Sequence, residues 1–125
     1  MAEAWQARLE RPGAGPLLHT RIGEQVEHLK QEPTWRTGDR NAITLTKGPT
    51  LRVVLIVLKK GATLHEHQVG GPITIQAIAG SCRLTVAGQV SDLGSGEIAV
   101  LESAIDHEVE ALEEATLLLT VVKAT

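Results

Sequence analysis

The chain has 125 residues, 42% of them apolar, and a net charge of −3 with acids and bases interspersed. That length holds one domain with one hydrophobic core, and the composition is too apolar for a disordered chain. There is no basic block, no Tyr and no Phe, and Trp5 and Trp35 are the only aromatic residues. The chain therefore lacks the means to neutralise phosphates or to stack bases, which excludes nucleic acid as the main partner, and an aromatic sugar-binding surface with it.

Residues 1–20 read as an N-terminal arm. Met1 to Pro16 is polar and is punctuated by Pro12, Gly13, Gly15 and Pro16, although Trp5 could dock. A single domain is expected over 21–125. It opens with a helix at 21–32, where Ile22, Val26 and Leu29 form one apolar stripe, Thr20 is the N-cap and Pro33 the stop. His28 lies beside that stripe among Glu27 and Lys30, and it is expected in solvent, as is His19.

From Asn41 the texture changes to short β-rich runs broken by Gly, Pro, Asn and Asp. The expected strands are Ala42–Lys47, Leu51–Lys59, Thr63–His67, Ile73–Ala79, Cys82–Ala87, Gln89–Leu93, Glu97–Leu101, His107–Ala111 and Ala115–Val122. Many short strands at regular turn spacing predict an all-β sandwich or barrel over 41–122. No helical segment alternates with them, so a parallel α/β sheet is excluded. Val53–Leu58 is apolar on both faces. It suits a strand buried between two layers, or one with its second face in a homodimer contact.

The single cysteine, Cys82, alternates with Leu84 and Val86, which predicts a small core residue in a reducing compartment. No cationic segment followed by an apolar core opens the chain, and Val53 to Leu58 is too short to span a bilayer. A soluble cytoplasmic protein without membrane contact is the expectation.

The informative segment is Lys60-Gly61-Ala62-Thr63-Leu64-His65-Glu66-His67. Residues i and i+2 of a strand share a face, so His65 and His67 project together and Glu66 opposes them. Alone, such a pair is half of a transition-metal site or two surface histidines. A third, His107, opens a later strand after a turn. If that strand lies beside the first, three imidazoles face into the barrel and leave coordination positions open for substrate or water. Glu102 and Asp106 are expected as solvated loop charges, and alternation removes Glu66 and Glu108 from the ligand set.

His65-x-His67 with the closing Gly80, and Gly96, five residues, Glu102-x-Ala104, two residues and His107, resemble the two motifs of the cupin superfamily. The segments Gly71–Gly80 and His107–Val122 are similar to small bacterial single-domain cupins. The resemblance covers about Asn41 to Val122. It implies a cupin-type jelly-roll β-barrel, one divalent transition metal (Fe, Mn, Ni, Cu or Zn) on His65, His67 and His107, and a homodimer.

The chain departs from that pattern in three places. Ile73 stands where the family's metal-binding Glu falls, and the Pro and Gly of the second motif are Glu102 and Ala104. Gln76 is the nearest polar replacement, as a fourth ligand or pocket residue, if a bulge at Gly70-Gly71 re-aims its strand. The resemblance implies dioxygenase, isomerase or decarboxylase chemistry on a small organic molecule. That molecule is expected to be anionic, to balance a metal without its carboxylate. A non-catalytic binding or sensing module is the alternative, and a barrel whose histidines hold no metal is the third reading.

Overall fold

The computed structural model describes residues 17–66, 71–102 and 105–123. Two helices precede nine strands: α1 (Ile22–Gln31), α2 (Pro33–Thr37), β1 (Arg40–Lys47), β2 (Leu51–Leu58), β3 (Thr63–Glu66), β4 (Ile73–Ala79), β5 (Cys82–Val86), β6 (Gln89–Leu93), β7 (Ile98–Leu101), β8 (His107–Ala111) and β9 (Ala115–Val122). The strands form a first sheet in the order β1-β2-β9-β4-β7 and a second in the order β3-β8-β5-β6, with every pair antiparallel. The two inner faces enclose the main core. Ile73, Ile75 and Ala77 on β4 meet Cys82 and Leu84 on β5, with Leu117 and Leu119 on β9.

The doubly apolar β2 is buried between two layers. Val54, Ile56 and Leu58 point into the barrel, while Leu55 and Val57 point out into a second core with Leu29, Trp35, Ile43 and Leu45. The chain's own helices cover Leu55 and Val57 on that outer face, while Leu51, of the same phase, stays exposed. Leu29 and Leu55 are fully buried, and each contributes about 1.5–3 kcal/mol by leaving water.

The helices differ from expectation in two respects. Thr20 does not cap α1. The cap position is Arg21, which makes no side-chain cap bond, and Thr20 Oγ1 instead accepts a hydrogen bond from the buried Gln25. Pro33 does end α1, but it also opens α2, because a proline at a first helical position lacks only an N–H that would be unpartnered there anyway. Trp35 of α2 is thereby carried onto the second core, with Lys30 and Lys59 near its ring. Asn41 ties this layer to β1. Its Nδ2 donates to Leu29 O at 2.9 Å and to Glu32 Oε1 at 2.7 Å, so the buried Glu32 carboxylate is not left bare.

Among the described residues, β4 has a register shift against β9 at Ala77/Ala79, and the bulge expected at Gly70-Gly71 falls partly outside them, at Gly70. Cys82 is fully buried, and desolvation, with a smaller contribution from the Asp92 charge, raises its thiol pKa.

Candidate functional site at the inner end of strand β8

Strand β8 reads His107-Glu108-Val109-Glu110-Ala111, with the first, third and fifth residues buried and the glutamates exposed. The period of two thus turns His107 into the barrel, where it is 2% exposed. Its cross-strand positions are Glu66 on β3 and Val86 on β5. His107 Nδ1 lies 3.1 Å from Ile105 O. A carbonyl only accepts, so Nδ1 carries the proton and Nε2 presents a lone pair. That Nε2 is buried and has no hydrogen-bond partner among the described residues. An unmet buried acceptor costs about 1–3 kcal/mol.

A cavity of about 200 Å³ opens between the edge of the second sheet and β7. Leu84, Val86, Ala99 and Leu101 line it, and Gln89 and Ser91 stand exposed at its rim. Val86 connects it to His107, its cross-strand neighbour. Gln89 and Ser91 were not among the expected site residues. Their signal was the alternation Gln89, Ser91, Leu93, which sets both on the face of the buried Leu93.

His65 is not brought to this interior. It pairs directly with Glu108, on the outer face of β8, and Nδ1 lies 3.6 Å from Glu108 Oε1 with the imidazole side chain 53% exposed. Leu64 is the β3 residue that packs against the barrel core, so by alternation His65 looks outward. His67 lies outside the described residues. Gln76 is on the outer face of β4, level with Leu118 of β9 and Ile98 of β7, while Ile73 is buried inside. Glu102 and Asp106 are exposed, as are His19 and His28.

Similarity to known structures follows this architecture. The chain superposes on a cupin 2 conserved barrel domain protein from Leptotrichia buccalis with a TM-score of 0.65 at 29% identity, over 70% of this chain and 42% of that one. The chain has the cupin β-barrel fold. A point mutant of salicylate 1,2-dioxygenase from Pseudoaminobacter salicylatoxidans matches with a TM-score of 0.70 at 19% identity, over 93% of this chain and 41% of that one. The cupin domain of an XRE family transcriptional regulator from Enterobacter cloacae matches with a TM-score of 0.60 at 11% identity, over 70% of this chain and 98% of that one. No protein-family model matches the sequence, and no curated protein does.

The cupin's interior donors can be set against what a metal needs. A transition ion held for chemistry takes about three protein ligands. Among the described residues no group of three or more His, Cys, Asp or Glu is placed to hold one. His107 is an isolated interior imidazole there, Ile73 offers no donor, and His65 faces away. The described residues therefore do not fit a metal centre. His107 stands across the strand from Val86, which lines the cavity, and is not itself one of the lining residues. Among the described residues lining the adjoining cavity there is no cation to pair with an anion.

Proposed function

We infer that this cupin binds a small organic molecule inside its barrel, with His107 as the polar anchor. The buried Nε2 of His107, which has no hydrogen-bond partner among the described residues, carries the reading. A lone pair in an apolar surround favours a ligand that donates a hydrogen bond, because the bond replaces an unmet acceptor and is strong at low dielectric. A neutral hydroxyl or N–H compound fits better than the anion expected from sequence, since that expectation rested on a metal's charge. The cavity of about 200 Å³ is below the range of about 300–1,000 Å³ common for drug-sized ligands, so the molecule is small. Ser91 is the one hydroxyl among the described lining residues, and it stands exposed at the rim, which favours binding over turnover.

A second reading, metal-assisted catalysis, draws on one observation. A histidine whose Nδ1–H is held by a carbonyl is oriented as metal-binding histidines are. One experiment separates the two. Phenol and benzoate are titrated into metal-depleted protein while the His107 ring nitrogens are followed by NMR. Divalent Fe, Mn, Ni, Cu and Zn are then added and the bound metal counted. The binding reading expects phenol, and not benzoate, to shift the Nε2 resonance, with no stoichiometric metal. An Nε2 resonance indifferent to phenol and to other small neutral hydroxy compounds sinks it. One ion per chain, lost in His107→Leu, establishes the metal reading instead.

A further inference from the structure

The pairing of the second sheet sets His107, Val86 and Gln89 in one row. His107 on β8 stands opposite Val86 on β5, and Val86 stands opposite Gln89 on β6. Residues directly opposed across antiparallel strands share a face. All three therefore lie on the face of Leu84 and Cys82, the interior one. The row is polar, apolar, polar, whereas the row of Ala111, Cys82 and Leu93 on the same face is apolar throughout. The ends of the first row differ. His107 is buried and presents Nε2, while Gln89 stands exposed at the cavity rim with an amide that both donates and accepts. Val86 lies between them in the cavity wall, and Ala99 and Leu101 of β7 line the same cavity from the other sheet.

We propose that the ligand of this site is a neutral molecule with polar groups on opposite sides of an apolar span one ring long. Its hydroxyl or N–H donates to His107 Nε2, and its second polar group hydrogen-bonds the Gln89 amide. The proposal rests on His107 as the interior anchor and adds Gln89 as the residue that selects the ligand. With the proton on Nδ1 and none on Nε2, His107 is neutral, and so is Gln89, so neither end of the row calls for a charged group.

The dimensions agree. Two strand spacings, about 10 Å, separate His107 from Gln89. Side chains stand roughly perpendicular to a sheet, so their tips keep about that separation. Two hydrogen bonds of about 2.8 Å each leave about 4–5 Å between the two polar atoms of the ligand. Groups on neighbouring atoms of a ring are too close together for this, and groups across the ring are not. Val86 is β-branched and stiff about χ1, so it gives the apolar span a fixed surface. A single ring also suits a cavity of about 200 Å³.

The test follows the His107 Nε2 and Gln89 side-chain amide resonances by NMR in the full chain. The probes are para-methoxyphenol, its ortho isomer, and para-ethylphenol, which has the shape of the first without the ether oxygen. Nε2 should respond to para-methoxyphenol at a concentration about three- to tenfold lower than to either of the others, the gain from one hydrogen bond. The Gln89 amide should shift with it. Gln89→Met, an exposed substitution of similar length, should erase the advantage over para-ethylphenol and leave the response to para-ethylphenol unchanged. An equal or stronger response to para-ethylphenol in the wild type overturns the proposal, and so does an advantage that survives in Gln89→Met. In both cases Nε2 still answers the phenols, so the reading of His107 as anchor stands. An Nε2 silent to every probe overturns both.

Discussion

Gly80 joins β4 to β5 with φ +75°, and a Cβ added there would stand 2.1 Å from Glu114 O, 2.9 Å from Ala115 Cα and 3.0 Å from Glu114 C. Gly61 has a similar φ of +86°, but nothing lies within 4 Å of its added Cβ. The pair separates two costs that usually travel together. A left-handed conformation costs an alanine about 1–2 kcal/mol, offset by about 0.4–1 kcal/mol through a less free unfolded chain. Gly61→Ala should therefore lose about 0.5–1 kcal/mol. Gly80→Ala bears the same cost, and in addition must push the β8–β9 connection back by about 1 Å. Backbone displacement of this kind costs about 1–3 kcal/mol, for a total of about 2–4 kcal/mol. Urea denaturation with unchanged m-values reads both, and a loss of 1 kcal/mol lowers Tm by about 3–6 °C at this size. Equal losses for the two variants, within about 0.5 kcal/mol, would refute the claim that backbone proximity, and not conformation, sets the need for glycine at position 80.

Three further outcomes are expected. His107→Leu removes the unmet buried Nε2 while keeping a side chain of similar bulk, so it should leave stability unchanged or raise it by about 1 kcal/mol while abolishing the phenol response; a loss beyond 2 kcal/mol in thermal unfolding would mean that the imidazole is structurally satisfied. Asn41→Ala strands the buried Glu32 carboxylate and leaves the Leu29 carbonyl with only its 3.4 Å bond from the Glu32 N–H, and should cost about 2–4 kcal/mol by chemical denaturation. The Cys82 thiol pKa is raised above its ordinary 9.0 in the folded chain. The unfolded thiol therefore ionises first, and the contribution to stability, complete below pH 9, is lost as pH rises past it. Stability curves from pH 7 to 10 and thiol titration with and without urea check this, and rapid labelling of the native protein would contradict it.

Strand positions were legible because each has its own turn chemistry. All nine expected runs are strands, and β4, β6, β8 and β9 agree at both ends. The second helix was not legible. Pro33 reads as a stop from upstream and as a start from downstream, and the five residues Pro33–Thr37 carry no period. His65 faces outward, against the expectation from the His65-x-His67 spacing, and its neighbours explain why. Ala62 and Leu64 are the apolar members of Ala62-Thr63-Leu64-His65, so the phase already set His65 with Thr63, away from the core. The same test succeeds for His107, which shares its phase with Val109 and Ala111. The partnering of Nε2 and the existence of the cavity depend on three-dimensional packing, and no linear pattern contains them.

The strand order of the first sheet also bears on how the chain comes to be folded. β9 lies between β2 and β4 and pairs with both along most of its length. As the polypeptide is synthesised, eight strands therefore emerge before the one that joins them. Until β9 arrives, β2 and the β4–β7 pair each keep an open edge of unpaired N–H and C=O groups, and the apolar stretch Val53–Leu58 is exposed. The nascent chain should depend on holding factors during this interval. A released fragment ending before Ala115 should be protease-sensitive, whereas the same chain extended through the eight residues of β9 should be resistant.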